Sequence, residues 1–476
     1  MYSLPSSMAN SKVLHVAVFP WLAMGHLIPF LQLSKLLAQN GHKVSFLSTP
    51  KNILKLPKIP SNLSSLIDLI PLPFSHLPSD LPLHAESSTE VPYSMQQLLK
   101  RAFDSLQLPL SSFLRSSPPD WVVYDYAPHW LPQLAKDLGV SCAFFSLFNA
   151  ANLAFIGPPS VLIDGGDLRT KAEDFAVVPD WVPFESHVVY RIYEMAKYFE
   201  GASIYEPTTP DTVRFGVAVE GSDVVAVRSS PEFEPEWFGL LRELYRKPVV
   251  PVGFLPPEVI EEDEEVKGND KWIGVKEWLD QQKVNSVVYV AFGTEANLSR
   301  DELSELATGL ELSELPFLLV LRNFSGSDQT ELEMLPDGFV ERVKDRGMVY
   351  VGWAPQMRIL SHDSVGGFLT HCGWNSVIEG LGSGRVLILL PLVNDQGLNA
   401  RLLTGKGLGL EVPRKEPDGS FTSDLVAESV RLAMVEDSGE PLREKTKEIR
   451  GMFGDRNRND QNVEEFIHFL KENRRK

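Results

Sequence analysis

Cysteine is almost missing from this chain: Cys142 and Cys372 are the only two in 476 residues, each inside an apolar run ("VSCAFFSLF", "GGFLTHCGW"). Two thiols in strand-like runs build no disulfide framework, which excludes the small secreted scaffolds and points to a reducing compartment. Basic charge is also short, with 45 Lys and Arg against 63 Asp and Glu and a formal net charge of −18. Phosphate neutralisation needs a basic surface, so nucleic acid is excluded as a partner and a small molecule is expected. Long hydrophobic runs are missing too: nothing approaches the roughly 18 to 20 uninterrupted apolar residues of a membrane span. The start "MYSLPSSMANSK" lacks the basic head and apolar centre of a signal peptide, and Pro20 and Pro29 interrupt the next apolar run. A cytoplasmic protein without membrane contact is expected. No G-x-G-x-x-G follows a strand, since "GLGSG" lies past a helix, and "TGKGLGL" has Gly407 where a phosphate-binding loop needs Ser or Thr. Dinucleotide oxidoreductases and P-loop kinases are thereby disfavoured.

What is present is alternation. Short Val-, Ile- and Phe-rich runs are separated by longer amphipathic stretches, the pattern of βαβ units and parallel sheets. The first set of predicted strands is Val13–Phe19, Lys43–Thr49, Asp120–Tyr126, Cys142–Phe148 and Asp223–Ser229. A proline-rich stretch then gives way to an acidic, apolar-poor run from Glu258 to Asp270, which reads as a solvated linker. Beyond it, strands are predicted at Ser286–Phe292, Phe317–Arg322, Met348–Trp353, Val365–His371 and Val386–Pro391. The expected organisation is a first α/β domain over 1–255, a linker over 256–278, a second α/β domain over 279–455 and a closing helical segment over 456–476. Ligands of open α/β sheets sit beyond the carboxyl ends of the strands, so functional residues are sought just after strands.

Two strand ends carry chemistry. The first strand runs into "FPWLAMGHLIPFLQLSKLL", where Gly25 permits a tight turn and His26 follows at the start of a helix. A histidine there is a candidate general base, or a structural residue. Asp125, at the end of "WVVYDY", falls at the same sheet edge and would orient the imidazole as an acid does in hydrolase triads, or else cap the next helix. The second corner is "WAPQMRILSHDSVGGFLTHCGWNSVIEGLGSGRVLILLPLVNDQ". Here "HCGWNS" opens a helix: Gly373 lets the backbone come close, and free N–H groups with Asn375 and Ser376 face an anion, His371 adding a donor. Glu379, one turn beyond Asn375, suits two neighbouring ribose hydroxyls. Trp353 offers a flat face for a base. Asp395 and Gln396 follow the next strand and suit sugar hydroxyls. Singly, each residue also fits a core or capping role; the spacing joins them.

The segment Trp353–Gln396 resembles the signature box of plant family 1 glycosyltransferases, which transfer sugars from uridine diphosphate donors: the "WAPQ" opening, the "HCGWNS" centre, the glutamate and the closing "DQ" all match. "PWLAMGH" is similar to that family's loop with the catalytic histidine, Asp125 falls where its acidic partner stands, and "VVYVAFGTEANLS" resembles its first donor-domain loop. The resemblance implies a GT-B fold, two Rossmann-like β/α/β domains facing each other across a cleft, with inverting chemistry and a UDP-sugar as co-substrate. No cofactor or metal is implied, and no Asp-x-Asp occurs in the chain. Carried over by position, His26 and Asp125 would be catalytic, Trp353 would stack on uracil, the Ala354 backbone would read its edge and Gln356 would lie near the ribose. Glu379 would bind the ribose hydroxyls. Gly293, Thr294, His371, Gly373, Trp374 through its backbone, Asn375 and Ser376 would hold the diphosphate, and Asp395 and Gln396 the sugar. The closing segment would cross back to the first domain.

For the acceptor, Trp21, Met24, Tyr126, His129, Trp130, Phe145 and Phe148 flank the two corners and are expected to line an apolar pocket, some of them as plain core. "FPWLAMGH", "DWVVYDY" and "DQGLNARLL" look most like the subgroup that extends sugar chains on terpenoid, steroidal or flavonoid glycosides. A glucosyl donor and a sugar hydroxyl as acceptor are expected, with rhamnosyl or xylosyl transfer, or glucosylation of a free aglycone, as alternatives. A monomer is expected. A lectin-like protein that keeps the fold without turnover is the reading from outside catalysis, and the presence of both His26 and Asp125 weighs against it.

Overall fold

The computed structural model of the protein describes residues 13–200, 209–257, 270–293, 298–322, 331–416 and 418–475. Within them lie two all-parallel sheets. The first is built from β1 (His15–Phe19), β2 (Lys43–Ser48), β3 (Ile67–Pro71), β4 (Trp121–Tyr124), β5 (Ser141–Ser146), β6 (Val224–Val227) and β7 (Val249–Pro251), in the order β3-β2-β1-β4-β5-β6-β7. The second contains β8 (Val287–Ala291), β9 (Phe317–Leu321), β10 (Gly347–Val351), β11 (Val365–Thr370), β12 (Val386–Leu389) and β13 (Gly409–Glu411), in the order β10-β9-β8-β11-β12-β13. Central strands such as β4 and β11 are buried along their whole length, because helices cover both faces of a parallel sheet.

In each sheet the winding reverses once, between β1 and β4 and between β8 and β11. Loops leaving neighbouring strands on opposite sides of such a point diverge and leave a crevice at the carboxyl edge. The register aligns Phe19 with Tyr124 and Ala291 with Thr370, so each crevice opens where a predicted corner begins.

The predicted strands overrun their carboxyl ends. Asp125, Tyr126, His371 and Trp353 stand past the ladder, in the loops that form the corners. Strands β3, β7 and β13 were not anticipated. They are edge strands, two of them three residues long, and edges tolerate Pro71, Pro251, Asp68 and Glu411 that a central strand would not. The predicted linker is also shorter at its carboxyl end: a helix spans Asp270–Asp280, with Trp272, Val275 and Leu279 buried, while residues 258–269 lie outside the described residues.

One apolar cluster runs beneath the first sheet and, through Phe233, Phe254, Trp374 and Phe453, into the second. Another lies on the first sheet's opposite face, where the helix Met24–Gln39 meets the helix Arg456–Asn473 through Leu27, Phe30, Val463, Phe466 and Leu470. Polar contacts fix that last helix as well: Trp121 Nε1 donates to the Leu470 carbonyl at 2.8 Å, and Arg474 and Arg475 pair with Asp120 and Asp223 at 2.8 and 2.7 Å. Among the described residues no helix is long and apolar enough to cross a membrane.

Phe466 is fully buried between the closing helix and the first sheet. Phe466→Ala is expected to destabilise the protein by about 3 to 5 kcal/mol, read as a lower urea midpoint; a loss below about 1 kcal/mol would show that docking of this helix does not depend on that ring.

Candidate active site

The first crevice is closed by a hydrogen-bonded pair. His26 lies in the first turn of the helix Met24–Gln39, and its Nδ1 is 2.6 Å from Asp125 Oδ2. Asp125 is buried, at 3% exposure, yet its carboxylate accepts two backbone N–H groups, from Trp21 at 3.1 Å and from Tyr126 at 2.7 Å. Those donors offset the burial of the charge, and a charged Asp125 fixes the tautomer with hydrogen on Nδ1, leaving Nε2 on the side away from it. Asp125 does not cap the next helix, which runs Leu131–Asp137 with Trp130 at its N-cap.

A proline connects this pair to the other sheet. Pro29 sits inside the His26 helix and carries no N–H, so the Gly25 carbonyl four residues earlier loses its usual helical donor. Asn375, in the first turn of the helix Trp374–Gly382, supplies one instead: its Nδ2 donates to the Gly25 oxygen at 3.0 Å. The Asn375 Oδ1 accepts from the guanidinium of Arg228, whose Nε holds the Phe254 carbonyl at 2.8 Å. Burial pulls Arg228 down to about 9, against the opposing pull of the Glu379 charge. Trp374 adds a second tie, Nε1 donating to the Arg228 carbonyl at 2.9 Å.

The second crevice holds the predicted nucleotide residues. His371 lies between two glycines: a Cβ on Gly293 would come within 2.4 Å of its ring, and one on Gly373 within 2.6 Å. Gly293 also has φ +66°, so the close approach and the backbone both require glycine. Burial, aided by the Arg322 charge, pushes His371 down to about 3, and its Nδ1 has no hydrogen-bond partner among the described residues. Thr294 lies outside the described residues. Gln356 Nε2 donates to Glu379 Oε2 at 2.6 Å and approaches Ser376 Oγ at 3.3 Å, while its Oε1 accepts from Tyr289 OH at 3.3 Å. Burial raises Glu379 above the usual carboxylate range. Trp353, just before Ala354, is 75% exposed, and Tyr350 OH holds its carbonyl at 2.9 Å. A large, open aromatic face suits a base.

Asp395 and Gln396 open the helix Gln396–Gly405. Gln396 is turned to its own loop: Oε1 accepts the Leu392 and Val393 N–H groups, both at 2.9 Å. Asn399, one turn on, is a junction that the sequence did not disclose. Its Nδ2 donates to Asp395 Oδ2 at 2.8 Å and to the Cys372 carbonyl at 2.9 Å, and its Oδ1 accepts from Asn149 and Asn152 of the first domain, each at 2.8 Å. Asn149 directly follows β5 and its neighbouring loop, so the strand-end rule that found Asp125 applied to it too.

On the acceptor side two expectations change. Phe145 is fully buried and packs on Phe30, 4.8 Å between ring centres, because alternation along β5 turns it to the sheet face opposite the cleft-side cluster. Trp21 is 3% exposed and lies edge-on to Phe103 at 5.2 Å; it is core, and its backbone rather than its indole serves the site. Tyr126 is half-buried with its ring 6.1 Å from that of His26, and Met24 and Phe148 are partly buried at the margins of the two clusters. His129 and Trp130 line a cavity of about 600 Å³ with His76, Asp80, Arg101 and Asp104. Polar side chains alternate in its lining with Pro78, Leu98 and Trp130. None of its lining residues belongs to the His26–Asp125 pair or to the nucleotide corner. Among the described residues no group of three His, Cys, Asp or Glu side chains is placed to hold a metal ion.

Two parallel α/β sheets with functional corners facing each other across a cleft, one with a His–Asp pair and one with a glycine-flanked histidine at a helix start, define a GT-B glycosyltransferase architecture. The family described as UDP-glucoronosyl and UDP-glucosyl transferase matches residues 265–431. UDP-glycosyltransferase 91C1 of Arabidopsis thaliana is 58% identical over 462 residues, 97% of each chain. Soyasaponin III rhamnosyltransferase of Glycine max is 41% identical over 472 residues, 98% of this chain and 97% of that one. The structure of Phytolacca americana UGT2 complexed with UDP-2fluoro-glucose and pterostilbene superposes with a TM-score of 0.73 at 26% identity, covering 97% of this chain and 100% of the other. The chain belongs to the plant family 1 UDP-glycosyltransferases.

His371 gives a pH signature. Its folded pKa of about 3 lies below an unfolded value near 6.5, so the unfolded chain takes up the proton first as the pH falls. Its contribution is complete above about pH 6.5 and is lost as the pH drops towards 3, about 2 kcal/mol of it between pH 7 and 5. Urea midpoints should fall between pH 7 and 5 in the native protein and fall less in His371→Gln; equal falls would show that His371 does not titrate in this way.

Proposed function

We propose that the protein transfers a sugar, glucose first among donors, from its UDP ester to a sugar hydroxyl of a terpenoid, steroidal or flavonoid glycoside, with inversion at the anomeric carbon. The observation that carries the chemistry is the His26–Asp125 pair joined through the Gly25 carbonyl to Asn375 of the nucleotide corner. A base and a diphosphate-binding helix start held by one hydrogen bond are positioned for in-line transfer.

His26 Nε2 takes the proton from the acceptor hydroxyl as its oxygen attacks the anomeric carbon, and Asp125 stabilises the imidazolium that results. The bond to the UDP oxygen breaks on the opposite face, so an α-linked donor gives a β-glycoside. Charge developing on the diphosphate meets the N–H groups of the helix that starts at Trp374, approached closely over Gly293 and Gly373. One of the two Asn375 amide hydrogens is engaged at Gly25, leaving the other for phosphate. Trp353 stacks on the uracil, Ala354 reads its edge, Glu379 with Gln356 takes the ribose hydroxyls, and Asp395 with the amide end of Gln396 holds the sugar. The 41% identity to a protein named as a rhamnosyltransferase supports a second reading, in which rhamnose is the sugar moved.

His26→Ala is expected to lower turnover by roughly 10²- to 10⁴-fold, while UDP still raises the melting temperature as in the native protein. Retention of more than a tenth of the native rate would remove His26 as the base. Identity of the substrates is read by mass spectrometry, with UDP-glucose and UDP-rhamnose offered against aglycones and their monoglucosides. One added hexose on the monoglucosides is expected. An added deoxyhexose would establish the rhamnosyl reading, and products from aglycones alone would overturn a sugar as acceptor.

A further inference from the structure

We propose that the ion pair between the buried Lys100 and the partly exposed Asp211 is a binding subsite for hydroxyls of the acceptor's own sugar. Lys100 lies on the helix Gln96–Asp104 and is 6% exposed; its Nζ is 2.5 Å from Asp211 Oδ2, at the start of the helix Asp211–Gly221. Gln97 Nε2 reaches the same oxygen at 3.3 Å. The other oxygen, Asp211 Oδ1, is sealed from solvent and has no hydrogen-bond partner among the described residues.

One turn along the same two helices, a second carboxylate shows what a purely structural pair looks like. Asp104 Oδ1 accepts from Arg214 at 2.7 Å and from Trp130 Nε1 at 3.1 Å, and its Oδ2 accepts from Arg214 at 2.6 Å. Arg214 also donates to the carbonyls of Ala127 and Thr209, at 3.0 and 3.1 Å. Both oxygens of Asp104 are thus engaged, whereas Asp211 has one engaged and one bare. A bare buried acceptor is a cost that folded proteins rarely carry without a use.

The pair and His26 share one neighbour, Tyr126. Lys100 Nζ is 6.0 Å from the centre of the Tyr126 ring, and the His26 ring is 6.1 Å from that same ring. A hydroxyl can donate and accept at once, so its chemistry matches both the Asp211 carboxylate, an acceptor, and the ammonium, a donor. A pyranose with one hydroxyl at His26 and others on this pair has the Tyr126 ring to rest against.

This subsite rests on the proposed sugar acceptor, and the test separates the two. Asp211→Asn and Lys100→Met are assayed with a monoglucoside and with its monodeoxyglucosides, alongside the UDP-sugar KM and the UDP thermal shift. Acceptor KM should rise at least tenfold with the donor KM and thermal shift unchanged within error. For at least one deoxy analogue, removal of the hydroxyl should impair the native enzyme as much as Asp211→Asn does and add nothing further in that variant. Should a single variant fail to fold, the double variant Lys100→Met with Asp211→Leu leaves no lone buried charge and carries the same expectation. An unchanged acceptor KM in an enzyme that turns over monoglucosides, or identical deoxy penalties in native and variant forms, overturns the subsite alone. A native enzyme that turns over aglycones and no monoglucoside overturns the sugar acceptor, and the subsite with it.

Discussion

The hydrogen bond from the Asn375 amide to the Gly25 carbonyl is the contact on which the catalytic arrangement depends. It exists because Pro29 removes the N–H that would otherwise occupy that carbonyl, so an apparent flaw in the His26 helix becomes a docking point for the other sheet. Gly25 and His26 are adjacent, and Asn375 and Gly373 lie in one helix start; one bond therefore relates the proposed base to the proposed anion site without a loop between them. Any rotation of one domain against the other that opens the cleft must break it or carry His26 along.

Around this bond the interface is held chiefly by polar groups in buried settings. Arg228 links Asn375 to the Phe254 carbonyl, Asn399 links Asp395 and the Cys372 carbonyl to Asn149 and Asn152, and Arg401 joins Glu194 to Glu411 at 2.6 and 2.8 Å. Apolar contact through Trp374, Phe233, Phe254 and Phe453 supplies area but little direction. Amide junctions supply direction, since each group has a fixed set of donors and acceptors and a misaligned domain leaves them unpaired in a site without water. Cys372 illustrates the demand: it has φ +69°, unusual for a residue with a side chain, and its carbonyl is the one Asn399 holds.

Central strands and both corners were readable from the chain because their causes are local. A parallel strand covered on two faces must be apolar throughout, and a corner at its carboxyl end must change abruptly to glycine and polar side chains. Strands β3, β7 and β13 escaped because an edge imposes neither condition and each is short or carries Pro or an acid; β10, also an edge, was legible because residues 348–351 are apolar throughout. Phe144 and Phe145 show a different limit. Periodicity says that they face opposite sides of β5, but which side meets the cleft depends on the sheet's position in the whole molecule: Phe144 joins the cluster that reaches the second domain, and Phe145 meets Phe30. Arg228, Asn399, Asp211 and Lys100 escaped for a related reason, since their partners lie far away in sequence and no spacing encodes the meeting.

The two halves of the site also differ in what their chemistry requires. A nucleotide diphosphate is one fixed shape, so a compact stretch from Trp353 to Gln396 can specify it, and within that stretch Gln356, Ser376 and Glu379 do meet. An acceptor has no such constant part. On the proposed acceptor side, the helices Gln96–Asp104 and Asp211–Gly221 are tied by pairs between them. Changing one residue of a pair there alters the pocket while leaving the base, the anion site and the bond between them in place. Such a division lets acceptor preference vary on a fixed transfer apparatus, and it places the determinants of that preference in tertiary pairs rather than in motifs.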